Sequence, residues 1–461
     1  MAIGAADARS RRRALAVAAL LVPGGALPAI AAAGSLAPIA PLAGLRPAVI
    51  DQPYDDTLPW AADLAGEQQS LESADTLRRR LERDLEAAPA LGVRNGPILY
   101  FPSLAVEGVA TDNVRNSHSD RIADIGLELA PSLTIESDWI RHAFRFSGSA
   151  DRTFYANEST YDPTAADAAA SLRLDLERGT AIELQADYDL SEATAGSDEV
   201  PQSAIGLRRD QVFGGSAALT HDVGRIALEA RAAALAFVYS DVALADGGTE
   251  NNGDRNYIEP RASVKTGYGL KPGFKPYVEL EYAPRYHEHA VDHDGERRDS
   301  QGGAVYLGAA IDDQPLWSGD LALRYELRVY DDQALDPASI IGLEGNLIWR
   351  PSATTTVALT ASSGLGETSK EGESATPTEA LSLGLTQLFK YDVAATALAS
   401  LDWSGGKDGG DLTWSASLGL TWALNRCAAL VAGYELTLFD SADEASSYVE
   451  NRVSAGIRFR I

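Results

Sequence analysis

The sequence predicts an all-β fold, a transmembrane antiparallel up-and-down β-barrel of about eighteen strands. Stretches of about ten to sixteen residues alternate apolar and polar side chains from Leu99 to the C-terminus, and the breaks between them alternate short and long. Successive side chains of a strand point to opposite faces, so each stretch has an apolar face and a polar face. Short turns at one end and longer loops at the other are typical of outer-membrane barrels.

The first residues predict export across the inner membrane. Residues 1–33 have the features of a signal peptide, because Arg11-Arg12-Arg13 precedes an apolar run at 14–22 and Ala31-Ala32-Ala33 supplies small residues for cleavage. That apolar run is too short for a spanning helix, which needs about 20 residues. A chain without a longer apolar run can cross a membrane only with strands.

Residues 34–96 lack the strand alternation and are rich in Ala and Pro. We predict a mostly disordered periplasmic segment there, because this composition offers little apolar surface to bury. A short helix is predicted within it at about 67–88, where leucines recur four residues apart before Pro89. The barrel is assigned to the remainder, residues 97–461.

The barrel strands follow from the alternation and its breaks. The connections predicted at 137–138, 177–179 and 222–224 are short, whereas those at 191–210 and 404–410 are longer and polar. Sorting the connections in this way places residue 98 and residue 461 at the same end. The predicted strands are 98–112, 121–136, 140–154, 166–177, 180–190, 211–221, 225–239, 256–268, 275–287, 302–312, 316–330, 339–349, 353–364, 378–389, 391–403, 411–422, 426–438 and 448–461.

The two faces of these strands predict lipid outside and water inside. Ile226 and Leu228 alternate with Glu229 and Arg231 in one strand, for example. Arg or Lys facing acyl chains near the midplane costs about 2–4 kcal/mol, so the charged rows are predicted to line the interior. The lumen-lining candidates are Asp124, Glu128, Arg145, Arg173, Asp175, Glu183, Asp187, Glu229, Arg231, Glu279, Glu281, Arg324, Glu326 and Arg328.

The mixed signs of these side chains allow two interpretations. Neighbouring charges can form ion pairs that brace the interior, or they can form a ladder that steers a solute, as charged rings do in pores. Eighteen strands leave an aqueous interior unless loops or the N-terminal segment fill it.

Strand ends and the final strand support a lipid-facing exterior. Aromatic side chains near strand ends predict interfacial girdles. The last strand must pair with the first, because an unpaired edge is not tolerated in lipid. The girdle candidates are Trp139, Tyr268, Trp317, Trp349, Trp403 and Trp422, and the apolar row of the last strand is Val453, Ala455, Ile457, Phe459 and Ile461.

Composition excludes several classes of function. Acidic residues outnumber basic ones by 66 to 39, giving a net charge of −27, which argues against nucleic-acid binding. A single cysteine, Cys427, leaves no intrachain disulfide. The sequence has no Gly-x-Ser-x-Gly motif, and its glycine-rich stretches lack the Lys-Ser/Thr ending of a phosphate-binding loop. We therefore predict neither an enzyme nor a cofactor, and a barrel enzyme acting on lipids is a third alternative. His287, His289 and His293 lie close together, but we interpret them as part of a polar loop and predict no metal site.

Short segments in order along the chain resemble the putative β-barrel porin 2 family of proteobacterial outer-membrane proteins. The resemblance covers roughly residues 96–461, and it implies an integral barrel without catalytic residues. Some members are associated with exopolysaccharide export. The matching segments are Thr111-Asp112-Asn113-Val114, Pro131-Ser132-Leu133, Ser137-Asp138-Trp139 with His142, Asp254-Arg255-Asn256-Tyr257, Gly267-Tyr268, Pro276-Tyr277-Val278-Glu279, Arg298-Asp299-Ser300, Glu367-Thr368 and Asn451-Arg452-Val453.

We therefore expect an integral outer-membrane barrel of a Gram-negative cell, acting as a porin-like channel for small hydrophilic solutes, with both termini in the periplasm. The alternative is an outer-membrane component of exopolysaccharide or capsule export, because a simple porin does not need the 34–96 segment. The expected partners are outer-membrane lipid and lipopolysaccharide, and the barrel-assembly machinery through the C-terminal strand. The alternative adds a periplasmic export partner.

Overall fold

The computed structural model describes residues 92–461, except 178, 196–199, 202, 312–315, 390–391 and 407–408 and the side chain of 177. The predicted signal peptide, the predicted helix and nearly all of the 34–96 segment lie outside the described residues.

Eighteen antiparallel strands form one closed sheet, as the sequence predicts. Each strand pairs with its neighbours in the chain, and the last strand returns to pair with the first, from Ser103 opposite Arg460 to Thr111 opposite Arg452. The strands are β1 Ile98–Thr111, β2 Asp124–Ser137, β3 His142–Tyr155, β4 Thr164–Glu177, β5 Thr180–Ala193, β6 Arg208–Val223, β7 Ile226–Tyr239, β8 Tyr257–Tyr268, β9 Lys275–Tyr282, β10 Ser300–Ile311, β11 Trp317–Tyr330, β12 Ala338–Ser352, β13 Thr355–Gly366, β14 Thr376–Phe389, β15 Val393–Gly406, β16 Gly409–Asn425, β17 Ala428–Asp440 and β18 Tyr448–Arg460.

The connections sort into two ends of the barrel, which we call the short-turn end and the long-loop end. A three-stranded sheet lies in the long-loop connections, formed by Ala204–Ile205, Val242–Leu244 and Thr249–Glu250. Beyond β9, Tyr286–His287 adds a short strand that pairs with the start of β8. Among the described residues, single-turn 3₁₀ helices lie in three long-loop connections, at Ser159–Tyr161, Gly253–Arg255 and Glu444–Ser446. Gly253–Arg255 shares its connection with two strands of the three-stranded sheet.

The predicted loop at 404–410 is wrong. β15 and β16 continue to Gly406 and from Gly409, and Gly405 pairs with Gly410. Glycine carries no side chain, so this part of the sequence shows no apolar alternation, although the glycine main chain can still form ladder hydrogen bonds. Only residues 407 and 408 lie between the two strands.

The apolar rows face outward, where no protein layer covers them. Ile125 is 64% exposed and Leu418 is 59% exposed, whereas Glu128, on the same strand as Ile125 but on its other face, is 9% exposed. The six aromatic girdle candidates are all exposed, and Trp317 stacks on Trp349 with 5.5 Å between ring centroids at the short-turn end. Exposed apolar rows that end in aromatic side chains fit a surface solvated by lipid.

Closure of the barrel requires a glycine in the last strand. A Cβ atom built on Gly456 of β18 would overlap the main-chain oxygen of Val106 in β1. On the outer side, a Cβ on Gly108 would meet its nearest neighbour, the oxygen of Ala455, at 3.8 Å, which is ordinary contact.

Gly456→Ala is therefore expected to separate β1 from β18 and to reduce the yield of folded barrel. A folded barrel migrates differently on gels without boiling, so the measurement is the fraction of unboiled protein in the faster band. Gly108→Ala is the matched control and should keep the wild-type fraction. Equal fractions for both variants would contradict the role of Gly456 in closure.

Candidate functional site in the barrel interior

All fourteen lumen-lining candidates lie on the face opposite the exposed apolar rows. Nine of them are buried, and the remaining five, Arg145, Arg173, Asp175, Glu183 and Glu281, are half-buried. Side chains on the inner surface of a closed barrel shield one another, which explains charged groups of such low exposure. The nine buried candidates are Asp124, Glu128, Asp187, Glu229, Arg231, Glu279, Arg324, Glu326 and Arg328.

Many of these charges are paired with a neighbour. Arg173 lies 3.0 Å from Asp175, and Arg231 lies 2.9 Å from Glu229, each pair being two residues apart on one strand. Glu128 of β2 pairs with Arg452 of β18 across β1, so this ion pair spans the closure of the barrel. These contacts favour the bracing interpretation of the charged rows over a ladder of free charges.

The largest charged cluster centres on Glu259 of β8, which the sequence did not single out. Its carboxylate lies 2.5 Å from the Nε of Arg285, 2.6 Å from Arg261 and 3.1 Å from Arg328. Arg328 reaches Glu259 from β11, so the cluster links strands that are not neighbours. The alternation of Glu259 and Arg261 within one predicted strand was the signal that could have found it.

The ladder between β12 and β13 stops halfway along the strands. The strands pair from Trp349 opposite Val357 to Gly345 opposite Ala361, and no pairs follow toward the long-loop end. Beyond that point the hydroxyl of Ser363 both donates to the oxygen of Leu343 and accepts from its N–H, each at 3.0 Å. A side chain thus replaces the main-chain partner of β12.

Charged side chains satisfy the matching main-chain groups of β13. Arg324 donates to the oxygen of Ser363, and the N–H of Ser363 donates to Glu344 at 3.4 Å. Two residues further along β13, the N–H of Leu365 donates to Glu326 at 3.3 Å, and Arg285 donates to the main-chain oxygen of Leu365 at 2.6 Å. An unpaired buried main-chain group costs about as much as a lost hydrogen bond, so these contacts keep this edge stable.

Residues 362–375, which we call the inward segment, lie on the inner surface of the barrel wall. Leu365 is 2% exposed and packs with Tyr330, Leu335 and Ala375, against Ala338 and Ile340. Ala338 and Ile340 lie opposite Arg328 and Glu326, on the inner face of β12. On the same face, a Cβ on Gly342 would overlap the hydroxyl of Ser363, so Gly342 leaves the space that Ser363 fills.

The inward segment reaches the connection between β9 and β10. Glu367 lies 3.2 Å from Arg285 and 3.4 Å from His287. Arg298 donates to the oxygen of Lys370 at 2.9 Å and also to the oxygen of Glu373. The inward segment therefore extends from β13 over part of the long-loop mouth.

The inner wall of β14–β16 has a different chemistry. Most of its side chains are small and uncharged, with Leu388 and Leu398 as larger apolar members and Asp402 and Asp411 toward the long-loop end as acidic ones. The interior is thus divided into two sectors. The charged sector holds the fourteen lumen-lining candidates and the cluster around Glu259, and the other sector consists mainly of Ser, Thr, Ala and Gly on β14–β16. The small members are Thr378, Ala380, Ser382, Gly384 and Thr386 on β14, Ala394, Thr396 and Ser400 on β15, and Thr413, Ser415, Ser417, Gly419 and Thr421 on β16.

The histidines interpreted as loop residues lie in the connection between β9 and β10. The Nδ1–H of His293 donates to the carboxylate of Asp254 at 2.9 Å, and this hydrogen bond raises the pKa of His293. Within the described part of the chain, no three His, Cys, Asp or Glu side chains are arranged to hold a metal ion.

Replacing Glu259 by Gln is expected to destabilise the barrel strongly, because the buried guanidinium groups of Arg285 and Arg328 and the half-buried one of Arg261 would lose their shared carboxylate. Breaking a buried ion pair typically costs about 3–5 kcal/mol. The measurement is the temperature at which the faster gel band of the unboiled protein disappears. Glu379→Gln, at an exposed glutamate on β14, is the matched control. A Glu259→Gln barrel that melts with the control would contradict this role.

Among the described residues, no helix has the length and hydropathy that a membrane-crossing helix needs. No protein with a curated description matches this sequence.

The solved structures to which the fold is similar include two transporters and a siderophore receptor. The FrpB iron transporter from Neisseria meningitidis is 11% identical with a TM-score of 0.37, the match covering 73% of this chain and 62% of FrpB. The siderophore receptor PirA from Acinetobacter baumannii is 8% identical with a TM-score of 0.37, covering 78% and 80%. The copper transporter OprC is 10% identical with a TM-score of 0.39, covering 80% and 82%. This chain spans less than two thirds of FrpB, and likenesses this distant carry no argument about substrate.

A family model described as "Putative beta-barrel porin 2" matches residues 86–461, which includes every strand of the barrel. The match agrees with the closed eighteen-strand sheet and its exposed apolar rows. The chain belongs to this family of porin-like outer-membrane β-barrels.

Proposed function

We propose that the protein is a passive channel for small hydrophilic solutes. The observation that supports this most is the closed eighteen-strand barrel with a polar inner face, because barrels of sixteen to eighteen strands leave an aqueous channel. The charged sector is largely occupied by its own ion pairs and by the inward segment. We place the solute path along the small side chains of β14–β16.

The sorted connections support one orientation of the barrel in the membrane. Ile98 and Ile461 lie at the short-turn end, and short turns face the periplasm in outer-membrane barrels. We propose that both ends of the barrel chain are periplasmic and that the inward segment lies at the outer mouth. The exposed apolar rows would contact outer-membrane lipid and lipopolysaccharide, and the final strand would engage the barrel-assembly machinery.

The alternative role in exopolysaccharide export depends on the 34–96 segment, which lies almost wholly outside the described residues. No contact among the described residues favours a periplasmic export partner, so we put the channel forward. We likewise propose no catalytic role.

Purified protein in a planar bilayer is expected to give stepwise ionic currents without added ligand. The current follows from a water-filled lumen, and it should also appear as swelling of liposomes in solutions of small neutral sugars. Heat-denatured protein is the control. Folded protein that gives no current and no swelling would contradict the channel function.

Asp411 of β16 is expected to favour cations in this channel, because it lies in the sector where we place the solute path. Its carboxylate accepts hydrogen bonds from the hydroxyl of Ser441 at 2.7 Å and from the N–H of Ala442 at 3.2 Å. Both donors are uncharged, so they do not neutralise it. Asp411→Asn should lower the ratio of cation to anion permeability, measured as reversal potential in a salt gradient. Asp336→Asn, at an exposed loop position, is the matched control, and identical reversal potentials would contradict the prediction.

A further inference from the structure

The missing half of the β12–β13 ladder has partners already present in the sequence. Extending the register of the paired half, in which Leu347 lies opposite Leu359, puts Leu343 opposite Ser363 and Ile341 opposite Leu365. Both strands keep extended backbone there, since β12 begins at Ala338 and β13 ends at Gly366. Nothing in the strand lengths prevents the ladder from continuing to the long-loop end.

The outward pattern also fits a continued ladder. Ile341 and Leu343 are 64% and 47% exposed on the lipid-facing side of β12. In the extended register, Leu365 would lie beside Ile341 in the outer apolar row. The apolar side chain of Leu365 is therefore compatible with both positions, packed against Tyr330 on the inside or facing lipid on the outside.

The main-chain hydrogen bonds of Ser363 and Leu365 are of a kind that can be exchanged, whereas the contacts of residues 367–373 with the β9–β10 connection would break. The partners of those main-chain groups are side chains, those of Arg324, Glu344, Glu326 and Arg285. In a continued ladder the same groups would bond to the main chain of β12. The released side chains would keep partners, because Arg324 and Glu326 lie 2.9 Å apart and Arg285 and Glu259 lie 2.5 Å apart.

We propose that the long-loop end of β13 moves between two positions. In the inward position, which the structure has, the segment lies inside the wall and covers part of the mouth. In the wall position, Ser363 and Leu365 complete the ladder with β12 and the mouth widens. β13 moves about its ladder with β14, which runs from Gly366 opposite Thr376 to Thr355 opposite Gln387, while β14 stays paired with β15 as far as Thr378 opposite Ser404.

Two pairs of cysteines distinguish the positions. In a Cys427→Ser background, Ile340→Cys with Leu365→Cys reports the inward position, where these side chains pack together. Ile341→Cys with Leu365→Cys reports the wall position. Ile341 lies on the lipid-facing side of β12, so Leu365 can reach it only when β13 continues the ladder with β12. Both disulfides are expected to form in folded barrels treated with an oxidant. Leu347→Cys with Leu359→Cys, on the paired half of the same strands, is the matched control.

The widening of the mouth rests on the proposed channel, whereas the existence of two positions does not. The variant with the oxidised wall pair should have at least about twofold higher conductance than the variant with the oxidised inward pair, and reduction of the disulfides should remove the difference. The control pair should conduct equally when oxidised and reduced. Absence of current in the wild type would reject the channel, and the cross-link yields alone would then decide the movement.

A substitution at Gly342 is expected to shift the balance between the two positions, and the same cysteine pairs measure that shift. A Cβ there would overlap Ser363 in the inward position, so Gly342→Ala should raise the yield of the wall-pair disulfide about twofold or more. Gly215→Ala, whose Cβ would lie 3.9 Å from its nearest neighbour, should leave it unchanged. Formation of the inward pair alone, with or without Gly342→Ala, would overturn the proposal, as would equal conductance of the two oxidised pairs in a conducting barrel.

Discussion

Every main-chain N–H and C=O group within the hydrocarbon must find a hydrogen-bond partner inside the protein, and this requirement determines the structure. Pairing of β1 with β18 satisfies it by leaving no free edge. The same requirement explains the charged sector. Where the ladder between β12 and β13 ends, arginine and glutamate side chains provide the partners that β12 does not.

The barrel could be predicted because its outer and inner surroundings differ so strongly. Alternation such as that of Leu228 and Glu229 is visible in sequence, and all eighteen predicted strands correspond to strands of the sheet. The pattern gives no prediction where successive residues do not alternate between apolar and polar side chains. Gly405, Gly406, Gly409 and Gly410 gave no alternation, although their main chains pair.

The interior arrangement could be predicted only in part. The alternation of side chains between the two faces of a strand was sufficient to place Arg324, Glu326 and Arg328 on the inner face. Their partners depend on contacts such as that between Arg324 and Ser363, which lie two strands and 39 residues apart. A departure of β13 from the wall leaves no mark in periodicity, because Ser363 and Leu365 keep the spacing of a regular strand. Gly342 was the one local sign, and a glycine in a strand has several explanations.

The division of the interior into two sectors has a mechanical consequence. Ion pairs such as that between Glu259 and Arg328 tie together distant strands of one arc, while the short side chains of β14–β16 cannot reach across to stiffen theirs. Lateral pressure from the bilayer therefore acts on a tube with one rigid and one compliant arc. Its cross-section should flatten along a fixed axis. A change in membrane thickness or tension should therefore alter the shape of the barrel in one direction more than in others.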